Sequence, residues 1–124
     1  MTRISDVFEQ LAEGCDFYIC LGNFLDEFYG SNQTARAEMI QAEPPSVRVP
    51  KEYKAFLAAA VHKLANDYGL DVPAWTFKKD YYLLEKPFFD CQAKGKLRLL
   101  FMYKSPLEFK HRNVFVDENV LVRV

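Results

Sequence analysis

The sequence is short of the residues on which most recognisable chemistry is built. Its five glycines, Gly14, Gly22, Gly30, Gly69 and Gly95, are scattered, so no glycine-rich loop is available to cradle phosphates. Two histidines, His62 and His111, stand far apart in sequence and not at zinc-ligand spacing. Neither a metal site nor a cofactor site is therefore expected. No apolar run approaches the roughly 20 residues that span a bilayer, and the first residues, Met-Thr-Arg-Ile-Ser-Asp, lack the apolar segment of a secretory signal. No membrane partner is expected. Three cysteines, Cys15, Cys20 and Cys91, make an odd count without a paired framework, which fits a reducing, cytoplasmic setting. On one helix, Cys15 and Cys20 would lie about 140° apart, so buried thiols are expected there, not a disulfide.

What is present is apolar and aromatic. Half of the 124 residues are hydrophobic and 15% are aromatic, with eleven Phe and seven Tyr. Such a chain can bury one proper core, and large rings are an economical way to fill it. The net charge of −1 conceals a division along the chain. Residues 1–43 carry Asp6, Glu9, Glu13, Asp16, Asp26, Glu27, Glu38 and Glu43 against Arg3 and Arg36, a balance of −6. Residues 94–112 carry Lys94, Lys96, Arg98, Lys104, Lys110 and Arg112 against Glu108, a balance of +5. Either the acidic and basic parts face each other within the monomer, or the basic stretch meets a partner.

Periodicity predicts a mainly α, single-domain bundle of five to six helices, with a short β pairing at the C-terminus as an option. The acidic helical part is 1–43, the linker 43–50, and the remaining core 51–124. Val7, Phe8 and Leu11 mark a short first helix stopped by Gly14. Phe17, Leu21, Phe24, Leu25 and Phe28 mark a second, with Gly30 as its stop. Thr34 is the expected cap of a third, which Pro44-Pro45 terminates. After Pro50, Tyr53, Phe56, Leu57, Ala60, Val61, Leu64, Ala65 and Tyr68 form the stripe of a scaffold helix closed by Gly69. Asp80 is placed to cap a short helix to Glu85. Leu97 to Lys104 fits alternation and helical spacing alike, and helix is favoured. Pro106 opens a final helix that ends near Asn113. Val114–Val116 and Val120–Val122 read as two strands around a turn, with a helix opening at Asp117 as the competitor.

Residues 75–89 concentrate Trp75, Phe77, Tyr81, Tyr82, Phe88 and Phe89 among lysines, a composition enriched at protein interfaces. The other reading of these rings is a lid over the scaffold helix. Trp75, Tyr81, Tyr82, Phe88 and Phe89 are the expected anchors of a partner, with Lys110 and Arg112 as charged contacts. Arg112 has a structural alternative, a forked hydrogen bond to an acid such as Asp117. Cys91 with His62 or His111 is the only pairing that suggests a nucleophile and base, and an enzyme is the less favoured class. Nucleic-acid binding through residues 94–112 ranks second to protein binding, because the acidic first third opposes a broad footprint. Self-association stays open.

Pro44-Pro45, Ala58-Ala59-Ala60, Gly69-Leu70, Pro73-Ala74-Trp75, Pro87-Phe88-Phe89, Ser105-Pro106 and Phe109-Lys110-His111-Arg112-Asn113-Val114-Phe115-Val116 resemble the motifs of an uncharacterised bacterial family. The likeness covers about two thirds of the chain. That family is similar to the C-terminal domain of small regulators, or antitoxin-like proteins, paired with nucleotidyltransferase-like proteins. The resemblance implies a non-catalytic regulatory module with a protein partner encoded nearby. Phe88 stands where the family often has Trp, and Lys110-His111-Arg112 where it often has arginines. Residues 1–43 offer no DNA-reading helix.

Overall fold

The first three helices find their ends in local chemistry. The computed structural model describes residues 1–123, with Gln92 described by its backbone alone. Helix α1 spans Ile4–Ala12, and the Asp6 carboxylate accepts the Arg3 N–H at 2.8 Å, tying down its first turn. Gly14, at φ 98°, lets the chain reverse so that the Cys15 N–H reaches the Gln10 carbonyl at 3.0 Å. Helix α2, Phe17–Tyr29, starts at Asp16, whose side chain accepts the Ile19 N–H at 3.1 Å. Helix α3, Gln33–Gln41, is capped by Asn32, not by Thr34: the Asn32 amide oxygen accepts the Ala35 N–H at 2.9 Å.

Helix α4, Lys51–Asp67, organises the rest. Residues 55–61 are buried without a break, together with Leu64 and Ala65, so the helix is enclosed on all sides along its middle instead of burying one stripe. Ala55, Ala58, Ala59 and Ala60 make this feasible, because a methyl side chain lets neighbouring elements approach closely. Helix α6, Leu107–Lys110, and the two 3₁₀ turns at Ala74–Phe77 and Lys79–Tyr81 pack on α4, while α1 packs on α2. Helix α5, Lys96–Lys104, lies farther out.

The short β pairing exists, with partners other than those expected. Strand β1, Phe88–Phe89, runs parallel to β2, Val114–Phe115. The tail forms no hairpin: residues after Val116 turn back on themselves, with the Val120 N–H on the Asp117 carbonyl at 3.1 Å. Leu121 enters the core, and its carbonyl accepts the Tyr29 hydroxyl at 2.6 Å. A buried apolar side chain and a satisfied carbonyl thus replace the second strand. Asp80 caps no helix; it sits inside the 3₁₀ turn that carries Tyr81 into the core, and the chain from Tyr82 to Pro87 is loop.

Cys15 and Cys20 are joined by a disulfide, their Cα atoms 6.7 Å apart. The helical-wheel argument fails because Cys15 precedes the Asp16 cap and so lies off the helix, over the first turn of α2. Cys91 is the free cysteine among the described residues. This pairing removes the inference from unpaired thiols to a reducing compartment. Among the described residues no helix is long and apolar enough to cross a membrane.

Candidate functional site

The aromatic segment divides between core and surface. Trp75, Tyr81 and Phe89 are buried, and Trp75 and Tyr81 meet Phe8 edge-on at centroid distances of 6.4 and 6.3 Å. The Trp75 indole N–H also donates to the Ile40 carbonyl at 3.0 Å, satisfying a carbonyl that the end of α3 leaves open. Trp75 and Tyr81 belong to the lid over the scaffold helix, the alternative that composition left open, because an enclosed α4 needs large side chains over every face. Phe89 lies in a second, smaller cluster with Ala93 and Phe101. Tyr82 and Phe88 are half-buried and keep some surface.

Arg112 is likewise a core residue, with 0% exposure, and is corrected from a contact to a structural role. Among the described residues no carboxylate forms an ion pair with it. Its guanidinium donates to the carbonyls of Thr76 (2.8 Å) and Glu108 (3.0 Å), and one Nη lies 3.0 Å from His62 Nδ1. The group lies over the Tyr82 ring, 4.8 Å from its centroid. Burial pushes the arginine pKa down. Burial first, then the neighbouring guanidinium, also lowers the His62 pKa, and a neutral imidazole is the form that can accept at Nδ1. Lys110 is half-buried and donates to the Tyr103 carbonyl at 2.8 Å, bracing the junction of α5 and α6.

The Cys/His pairing is not assembled: among the described residues no hydrogen bond joins Cys91 to either histidine. Cys91 neighbours Asp90 instead, and burial followed by that carboxylate raises its thiol pKa, opposite to what a nucleophile needs.

The residues that remain outside the core form a different surface. On α5 only Phe101 is buried; Leu97, Leu99, Leu100, Met102 and Tyr103 are exposed, Leu99 at 66% and Tyr103 at 78%. Leu107, at the start of α6, extends the patch with 62% exposure. Lys96, Arg98 and Lys104 are interspersed among them and Lys94 precedes them, all exposed. Isolated surface leucines are ordinary, but a run of five large apolar side chains on one exposed helix is not. The ion pairs do not neutralise these cations. Among the described residues the acidic first third is paired elsewhere: Asp26 with Arg123 at 2.9 Å, Glu27 with the N-terminus at 3.7 Å, and Glu43 with Lys78.

The sequence concealed this surface in plain view. Spacing that satisfies both alternation and helical periodicity means apolar residues on every side of the helix, and a helix covered on one side can bury only some of them.

Concavities of two sizes lie on the surface of the described residues. The larger, about 620 Å³, runs between the start of α4 and the 79–86 loop, and its lysines are interspersed with Glu52, Asp80 and Glu85, giving no consistent sign of charge. The smaller, about 350 Å³, is ringed by Tyr18, Tyr53, Phe88, Phe89 and Cys91. Compared with known protein families, curated protein sequences and solved structures, the chain matches none.

Proposed function

We propose that this chain is a non-catalytic protein-interaction module that docks through α5 onto a partner whose surface combines an apolar groove with acidic flanks. The observation that carries the reading is the exposure of Leu97, Leu99, Leu100, Met102 and Tyr103 on a helix that also presents Lys96, Arg98 and Lys104 to solvent, with Lys94 just before it. The apolar side chains supply the area removed from water, roughly 1.5 to 3 kcal/mol for each one fully buried. The cations set orientation and encounter rate.

Charge decides between kinds of partner. A symmetric pairing of α5 on α5 would bring two sets of these cations together, so a second copy placed in that way is disfavoured. Nucleic acid would use the cations but leave the apolar run in water, because phosphate contacts are made by charged and polar groups. The resemblance to antitoxin-like regulators supports a partner of the nucleotidyltransferase-like class, and the α5 surface supplies the means of contact.

Calorimetric titration with two designed amphipathic helical peptides tests this. One carries a leucine face flanked by glutamates; the other has lysine at every glutamate position. The glutamate peptide should bind, weaken with added salt, and fail to bind Leu99→Asp protein. Equal binding of both peptides, or indifference to Leu99→Asp, would refute the reading. A mobility shift with DNA or RNA that survives Leu99→Asp but disappears in Lys96→Glu protein would transfer the surface to nucleic acid.

A further inference from the structure

The smaller cleft has a chemistry of its own, independent of α5 docking. Four of its five lining residues are aromatic: Tyr18, Tyr53, Phe88 and Phe89. Packing from behind fixes their positions. Phe17 stacks on one face of Tyr53 with centroids 4.2 Å apart, and Phe115 stacks on Phe89 at 5.1 Å. The Arg98 guanidinium lies over the Phe89 ring, 4.0 Å from its centroid, so the faces of Phe89 are already taken and the rings left to a ligand are those of Tyr18, Tyr53 and Phe88.

Behind the lining sits Asp90, only 5% exposed. One carboxylate oxygen accepts both the Tyr18 hydroxyl and, at 3.0 Å, the Cys91 N–H. Cys91 adopts φ 55°, a conformation that a residue with a β-carbon takes when its surroundings impose it. Among the described residues no cation forms a salt bridge with Asp90. A buried carboxylate commonly has a cation close by. Here it is tied to the lining through the Tyr18 hydroxyl.

We propose that this cleft binds an alkylated ammonium group, of the trimethylammonium or methylated-lysine class. Methyl groups on nitrogen fill an apolar, aromatic opening, the spread positive charge is attracted by the ring faces, and Asp90 adds a fixed charge of the right sign. A metal ion would find a single carboxylate and aromatic walls in place of an oxygen shell. An anion would meet Asp90 repulsion. A neutral alkyl group would gain the rings and nothing from the carboxylate.

The test is a titration of the full chain, followed by NMR of the tyrosine and phenylalanine rings. The probes are choline and its uncharged carbon isostere, in which tert-butyl replaces trimethylammonium. Choline should give saturable shifts at Tyr18, Tyr53 and Phe88, and the isostere should bind roughly tenfold more weakly. Asp90→Asn, which keeps an acceptor for Tyr18, and Phe88→Leu, at a half-buried position, should each weaken choline binding by a similar factor while the circular dichroism spectrum is unchanged. Isostere binding equal to choline, no saturable shift with choline, or folded Asp90→Asn and Phe88→Leu proteins that both bind choline as wild type does would overturn the proposal.

Discussion

Arg112 holds together three parts of the fold that are distant in sequence. Its donors reach the carbonyls of Thr76 and Glu108 and the ring of His62, and its Nε has no hydrogen-bond partner among the described residues. Truncation to alanine would leave two buried or half-buried carbonyls unpaired and a cavity beside Tyr82. Arg112→Ala should therefore destabilise the protein by about 3 kcal/mol or more, read as a drop in the urea midpoint. Arg112→Met should recover the packing but not the donors, and should still lose about 2 kcal/mol. The same cluster sets a pH dependence. His62 has a folded-state pKa below its ordinary value of about 6.5, so the unfolded chain binds the proton first as pH falls. Stability should be at its full value above about pH 6.5 and decline as pH drops toward the lowered folded pKa. Urea titrations across that window should show the decline, and His62→Gln should flatten it. A histidine beside an apolar stripe signals burial, but the guanidinium that lowers its pKa is 50 residues away, and no local pattern links the two.

At the scale of elements, the start of α2 and the whole of α5 behave in opposite ways. The Cys15–Cys20 disulfide closes the turn between α1 and α2, so thiol titration of the unreduced, denatured protein should find one free cysteine, and three after reduction. Three before reduction would contradict the pairing. In α5 the positions separate cleanly by exposure. Leu99→Ser should change stability by no more than about 0.5 kcal/mol, because its side chain is in solvent, whereas Phe101→Ala should cost about 3 kcal/mol. The measurement is again the shift in the urea midpoint. Helices α1, α2 and α4 were legible because caps, glycines and apolar spacing agree at Asp16, Gly14, Gly69 and Pro50. The β pairing was less so, because Phe88–Phe89 and Val114–Phe115 meet only after the whole of α5 and α6 has been placed between them.

For the whole molecule, several residues of the sequence motifs turn out to be packing devices. Trp75 closes the end of α3; the Ser105 hydroxyl accepts the Val116 N–H at 2.8 Å; Arg112 joins α4, α6 and the first 3₁₀ turn; and Asn113, at φ 63°, offers its carbonyl to the Phe88 N–H at 3.0 Å. They specify a fold. Interface composition in 75–89 does not separate interface from core, because a small domain wrapped around one enclosed helix needs the same residue types inside, and Trp75, Tyr81 and Phe89 are buried. The cationic stretch coincides with the helix whose leucines are exposed. The aromatic cleft had no sequence signal, since Tyr18 and Asp90 are 72 residues apart.

The most direct test of α5 docking is residue-resolved. In an NMR titration with the glutamate-flanked leucine peptide, the account predicts the largest amide shifts at residues 96–104 and Leu107, diminishing with added salt and absent in Leu99→Asp protein. Shifts concentrated in residues 1–43 or on the 79–86 loop, with α5 unmoved, would contradict it.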